Sequence, residues 1–158
     1  PDQAQGIRFI RIRTGWAGGP ESSDGAYGIY PVEITDILID SCIAIEASDA
    51  GIYIDQSERI KVINSEARYD VAGIEIENSY YADVYNNYSH GNAGGILVFN
   101  LPDLIVKSGR SIRIYDNVVV DNNFKNFAPS GNVVASVPTG TGIMVLATSE
   151  VEIYHNKI

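Results

Sequence analysis

The chain has 158 residues, 45% of them hydrophobic, with 11 Lys and Arg against 20 Asp and Glu, a formal net charge of −9 and a pI near 4.5. That length makes one domain with enough chain to bury a core, and no apolar run approaches the roughly 20 residues that cross a bilayer. The charge argues against nucleic acid as a partner, because a polyanion is repelled and no Lys/Arg cluster offers a local exception.

Pro1-Asp2-Gln3 is not a basic leader region, so no secretory signal peptide is visible. Ile7-Arg8-Phe9-Ile10-Arg11-Ile12 is already strand-like. Trp16 follows in a Gly-rich loop, where it reads as an anchor packed on the body, with a sugar platform as the alternative. A recurring phrase then begins. Gly-Ile pairs stand at Gly28, Gly51, Gly73, Gly95 and Gly142, the first three intervals being 23, 22 and 22 residues. Nine residues after most of these glycines comes a second phrase: Ile37-Leu38-Ile39, Ile60-Lys61-Val62, Ala82-Asp83-Val84 and Val151-Glu152-Ile153. Ile112-Arg113-Ile114 comes late because about 99–109 is inserted, and a second insertion near 122–139 delays the last Gly-Ile.

Each phrase alternates apolar and polar residues with period two and is rich in Ile, Val and Tyr, which is strand chemistry. No Asn-Gly turn joins adjacent phrases as in a hairpin. A unit of about 22 residues with two or three short strands predicts an all-β parallel β-solenoid over 1–158, five to six coils stacked in register about 4.8 Å apart. Ile52, Ile74, Ile96 and Ile143 then form one inward column, Ile54, Ile76, Val98 and Val145 the next, and Ile39, Val62, Val84, Ile114 and Ile153 a third on the second sheet. The recurring glycine is expected to supply a φ that a β-carbon resists. Cys42, Ser65, Asn87, Asn117 and Asn156 align at a turn, predicting a polar ladder with asparagine amides bonded up the stack. Cys42 is the only cysteine, so no internal disulfide forms.

Candidate functional residues are those pointing outward. On the Gly-Ile sheet these read Tyr30, Tyr53, Glu75, Leu97 and Met144 in one column and Val32, Asp55, Glu77, Phe99 and Leu146 in the next. Tyr53, Asp55, Glu75, Glu77 and Phe99 are the candidate ligand-binding residues: sugar rings stack on aromatics and carboxylates bond hydroxyls. An ordinary solvated face is the plainer reading of the same columns. Closely packed carboxylates also suit calcium, but no Asp-rich nonapeptide or EF-hand loop is present and no other cofactor is expected. Two distant histidines and one cysteine make no transition-metal cluster. His90 and His155 read as turn residues before bases, and Asp24 and Asp49 as turn residues bonding their own backbone. On the second sheet Lys61, Asp83, Arg113 and Glu152 alternate in sign, which reads as cross-strand pairing, and Tyr85, Tyr115 and Tyr154 as a self-stacking column.

These phrases resemble a family of bacterial parallel β-helix repeat proteins predicted to be exported. The likeness rests on Gly25-Ala26-Tyr27-Gly28-Ile29-Tyr30-Pro31-Val32, Ala47-Ser48-Asp49-Ala50-Gly51-Ile52-Tyr53 and Val71-Ala72-Gly73-Ile74-Glu75-Ile76-Glu77-Asn78-Ser79. Gly94-Gly95-Ile96-Leu97-Val98-Phe99, Asn126-Phe127-Ala128-Pro129 and Gly140-Thr141-Gly142-Ile143-Met144-Val145 complete it. The resemblance implies a right-handed single-stranded helix, an extracytoplasmic location and distant similarity to carbohydrate-binding and sugar-hydrolysing β-helices such as mannuronan epimerases. It carries no assigned reaction, and the Asp-Pro-His signature of those epimerases does not occur. Members of the family are longer, so the chain resembles an internal piece, and with no capping helix at either end, stacking through the coil ends is expected. Three functions follow as expectations: polysaccharide recognition along one sheet face, a polyuronate lyase or epimerase, and a structural module stacking end to end.

Overall fold

The computed structural model describes residues 4–158; Pro1-Asp2-Gln3 lie outside them. The chain winds as a parallel β-helix, each coil passing in turn through three sheets. Sheet A stacks six strands, Ala4–Ile10, Ile34–Asp40, Glu58–Ile63, Tyr80–Tyr85, Arg110–Tyr115 and Ser149–Tyr154. Sheet B stacks five three-residue strands: Arg13–Gly15, Ile43–Ile45, Glu66–Arg68, Tyr88–His90 and Val118–Val120. Sheet C stacks Tyr27–Ile29, Ala50–Asp55, Ala72–Glu77, Gly94–Phe99 and Thr141–Leu146.

The register is the one the repeat predicts. Ile52 pairs with Ile74, Ile74 with Ile96 and Ile96 with Ile143, while Ile54, Ile76, Val98 and Val145 stack beside them. Ile39, Val62, Val84, Ile114 and Ile153 stack on sheet A. In the middle coils these side chains are entirely buried, each stabilising the fold by roughly 1.5–3 kcal/mol through apolar burial.

The glycine column has a different cause from the one expected. Among Gly28, Gly51, Gly73, Gly95 and Gly142 none has a positive φ. Space is what they lack: a β-carbon at Gly28 would stand 2.5 Å from the Gly51 carbonyl oxygen and 3.1 Å from Ala44 Cβ, and at Gly73 or Gly95 it would run into Ser89 or Val119. The three-residue strands of sheet B bring their inward side chains against the start of sheet C, and only glycine fits.

Positive φ falls instead on eighteen non-glycine residues among those described. Ser41, Asn64, Asn86, Asp116 and His155 take it at the turn between sheets A and B, one residue ahead of the predicted ladder. That ladder forms. Cys42 N donates to Ser65 Oγ at 3.1 Å, Ser65 N to Asn87 Oδ1 at 3.0 Å, Asn87 N to Asn117 Oδ1 at 3.0 Å and Asn117 N to Asn156 Oδ1 at 3.0 Å. A second ladder runs at the turn between sheets B and C, where Ala47 N donates to Asp70 Oδ1, Asp70 N to Asn92 Oδ1 and Asn92 N to Asn122 Oδ1. Ser57 and Ser79 make a short third at the last turn. At these corners the side chains satisfy backbone donors that the bend would otherwise orphan.

The two insertions occupy the loops 100–109 and 121–140. The first is pinned by Asn78, which accepts from Leu101 N at 2.7 Å, and by Gln56 Oε1, which accepts from Ile105 N and Val106 N. The second contains a single 3-10 turn, Val133–Ser136, tied by Asn126 Nδ2 to the Val134 and Val137 carbonyls. Phe127, Val134 and Val137 from this loop pack on Ala50, Val71, Ala72, Ala93, Leu97 and Phe99. A second hydrophobic cluster therefore lies outside the coil, on the outer face of sheet C. The solvated face expected there is buried, because its apolar members Leu97, Phe99 and Met144 need a cover and the second insertion supplies it.

Candidate functional site

Tyr53, Asp55, Glu75, Glu77 and Phe99 are all brought together on that covered face, each below a tenth exposed. Alternation along the strand directs Glu75 and Glu77 to the same side, and in-register pairing sets Tyr53 beside Glu75 and Asp55 beside Glu77 one coil away. Where the cover ends, a cleft of about 290 Å³ remains, lined by Tyr27, Asp49, Tyr53, Glu75, Glu77 and Phe99 on the sheet side and by Leu101 and Gly131–Val134 on the loop side. Asp55 stands just outside this lining, next to Tyr30 and Gln56.

The electrostatics follow from burial of like charges. Glu75 is 2% exposed, its carboxyl lifted far above the ordinary range by desolvation and then by Asp49, Glu77 and Asp55, and its Oε2 has no hydrogen-bond partner. Desolvation lifts Glu77 to about 7, opposed by the hydrogen bond that Tyr53 Oη donates to its Oε2 at 2.6 Å. Asp49, near the second insertion, rises to about 6 by desolvation, against the bond it accepts from Asn132 Nδ2 at 3.0 Å. Asp55 is raised by desolvation as well. Tyr53 and Tyr27 are pushed up by burial and by these carboxylates, so both stay phenols. No Lys, Arg or His lines the cleft.

Tyr27 and Tyr53 line the cleft, and Tyr30 stacks on them from outside it. Tyr30 and Tyr53 stack with ring centroids 4.8 Å apart and planes at 5°, and Tyr27 leans on both at 4.5 and 4.7 Å. Tyr30 remains 42% exposed, so the stack runs from solvent down to the Glu77 hydroxyl partner. At neutral pH the cleft offers a protonated acid as donor, a half-ionised acid as acceptor and aromatic faces. Among the described residues no group of three or more His, Cys, Asp or Glu is arranged to hold a metal ion.

Sequence reasoning did not find Tyr27, Asp49 or Asn132 as parts of this site, although the insertion near 122–139 was expected to help shape a groove. In sequence Asp49 reads as a turn residue one position ahead of a strand, which gives no sign of the cleft. The signal lay in the apolar outward residues Leu97 and Phe99 and in an insertion that itself carries Phe127, Val134 and Val137.

The other singled-out residues lie elsewhere. Trp16 packs its indole on Gly25, where a β-carbon would collide with the ring, as an anchor does. His90 Nε2 lies 2.9 Å from Glu66 Oε1 with its ring stacked on Tyr88, and the largely exposed His155 has Nδ1 3.7 Å from Asp116. On sheet A, Tyr85, Tyr115 and Tyr154 stack at 4.8 and 5.0 Å as expected, and of the charge column Arg113 pairs with Asp83 at 2.7 Å while Lys61 and Glu152 make no ion pair among the described residues.

No curated protein and no solved structure matches the chain. Among the described residues no helix is long and apolar enough to cross a membrane. A model of the right-handed β-helix region matches residues 21–158, which fixes the hand of the coil, and the chain belongs to the right-handed β-helix family.

Proposed function

We propose that the cleft on the outer face of sheet C recognises a neutral saccharide unit, outside the cytoplasm and without covalent chemistry. The observation that carries this reading is the tyrosine stack Tyr30–Tyr53–Tyr27 leading to Glu77 and Glu75. A pyranose ring lies against the aromatic faces. Its hydroxyls donate to Glu77, and protonated Glu75, whose Oε2 lacks a partner, donates to a sugar oxygen. A buried unpartnered polar group costs roughly 1–3 kcal/mol, so a ligand that satisfies it recovers that energy.

The alternative of a polyuronate lyase or epimerase needs a cation beside the substrate carboxylate. This cleft presents carboxyl groups and no cation, which favours a neutral ligand and disfavours that chemistry. Calcium bridging would reverse the preference, so binding is measured with and without calcium. A stacking module is a separate proposal; sedimentation showing a strict monomer at high concentration would end it.

The test is an array of neutral and acidic oligosaccharides, followed by titration of the best ligand into Tyr53→Phe and Glu77→Gln variants. Neutral saccharides bind, and each variant weakens binding by about tenfold, or 1.4 kcal/mol. Absence of neutral ligands, or binding that survives both substitutions, overturns the proposal. Ultraviolet absorbance of an unsaturated product from polyuronates would instead establish a lyase. Fractionation of the native host tests the extracytoplasmic location.

A further inference from the structure

The outer face of sheet A carries apolar side chains too, but both insertions make their contacts elsewhere, at Gln56 and Asn78 and on sheet C. A residue of positive φ divides each strand of sheet A, from Gly6 and Asp36 to Ser111 and Glu150, and two outward positions follow it. The register stacks the first of these as Arg8, Leu38, Lys61, Asp83, Arg113 and Glu152. It stacks the second as Ile10, Asp40, Ile63, Tyr85, Tyr115 and Tyr154. That second column is aliphatic or aromatic everywhere but at Asp40, and Ile10 remains 48% and Tyr154 38% exposed.

The first column is charged, and its charges are only partly matched within the chain. Arg113 and Asp83 pair with each other. Arg8, Lys61 and Glu152 are exposed and have no ion-pair partner among the described residues. The unmatched cations thus stand on the first and third coils and the unmatched acid on the sixth.

Reversing the order of the coils matches this face to itself. A two-fold axis parallel to the strands, between the third and fourth coils, sets the first coil opposite the sixth, the second opposite the fifth and the third opposite the fourth. Arg8 then faces the partner's Glu152, Lys61 faces the partner's Asp83, and Leu38 lies against the stem of the partner's Arg113. In the second column Ile10 faces the partner's Tyr154, Ile63 the partner's Tyr85, and Asp40 the hydroxyl of the partner's Tyr115. No like charges meet in either column. A two-fold axis along the rod would instead set Arg8 against the partner's Ile10 and Lys61 against the partner's Ile63, leaving both cations desolvated without an anion.

We propose that two copies of this chain associate face to face through sheet A, as antiparallel rods. Strand spacing and rise make the face about 24 by 16 Å. That is small for a stable interface, so the dimer is transient, with a dissociation constant on the order of 100 μM. The contact is isologous and closes at two chains, whereas stacking through coil ends would continue. The inference is independent of the saccharide reading: none of the residues lining the acidic cleft lies on sheet A, so both clefts of a dimer stay outside the contact.

Sedimentation equilibrium at physiological ionic strength, which screens the repulsion between two net charges of −9, tests this at protein concentrations up to about 1 mM. A monomer–dimer equilibrium is expected, with nothing larger. Lys61→Glu, in the middle of the rod, raises the dissociation constant at least about tenfold, and Arg8→Glu does the same. Adding Glu152→Arg to Arg8→Glu restores the wild-type value; the two positions lie at opposite ends of one rod, so the rescue arises between chains. These substitutions break no ion pair among the described residues, and far-UV circular dichroism checks that the strands persist. A strict monomer, species that keep growing beyond two chains, a Lys61→Glu variant that dimerises like the wild type, or a double variant without rescue overturns the proposal.

Discussion

Single residues in the acidic cleft set how the molecule responds to pH. Glu75, Glu77, Asp49, Asp55 and the fully buried Asp70 all have carboxyls raised by desolvation above their ordinary values of 4.5 for Glu and 3.8 for Asp. A raised carboxyl means that the folded state holds a proton the unfolded chain has lost. Stability therefore falls as pH rises from the unfolded value toward the folded one, near 6 for Asp49 and near 7 for Glu77. Each such group contributes up to about 1.4 kcal/mol per pH unit within its window. Urea unfolding is expected to show a higher midpoint at about pH 5 than at about pH 7.5, and Glu75→Gln, which cannot ionise, flattens that slope. An unchanged slope in the variant would mean that Glu75 is ionised when folded. Tyr53→Phe removes the bond that holds Glu77 down, so carbon-13 titration of the Glu77 carboxyl should report a value above 7.

At the level of strands and turns, the corners carry the specificity. Asn117 accepts from Asn87 N and Nδ2 and donates to the Val84 carbonyl at 2.9 Å, all buried. Asn117→Ala leaves these groups unpaired and is expected to cost about 2–4 kcal/mol in chemical denaturation. Ala147 shows the opposite case. It takes φ 55 at the corner after sheet C with no side-chain polar group to offset the strain, so Ala147→Gly should stabilise by roughly 0.5–1 kcal/mol, and Ala147→Val should destabilise. The regular corners were legible in the sequence because Ser65, Asn87 and Asn117 fall at fixed places after each strand. The second ladder was equally regular, with Asp70, Asn92 and Asn122 spaced by 22 and 30 residues like Ser65's successors, but it breaks the pattern by starting on an acid. The glycines misled for a physical reason: a period marks where glycine is required without saying whether angle or space requires it, and here the neighbouring sheet B decides. The candidate residues of sheet C were legible as a group; their burial was not, because period two separates inside from outside and cannot tell an open outside from a covered one.

Over the whole molecule, the two hydrophobic clusters make different demands. The inner one runs through every coil and depends on stacking, so a defect in one column is felt by the coils above and below. The outer one joins Phe127, Val134 and Val137 of a loop to a face whose backbone bonds are already complete within sheet C. Opening the cover therefore breaks apolar contacts and a few loop bonds, such as Asn132 to Asp49, without unpairing a strand. A Phe127→Ser, Val134→Ser double variant should lose the outer cluster while the rod persists. Its far-UV circular dichroism stays that of the parent, a hydrophobic dye binds the uncovered Leu97 and Phe99, and amides of 126–137 exchange faster while those of Ile74 and Ile76 keep their protection. Each truncated side chain costs roughly 2–5 kcal/mol, charged to the local opening and not to the coil. Loss of strand signal together with the cover would mean that the outer cluster is part of the cooperative core. The acidic cleft would then be a by-product of folding and not a pocket laid over a finished rod.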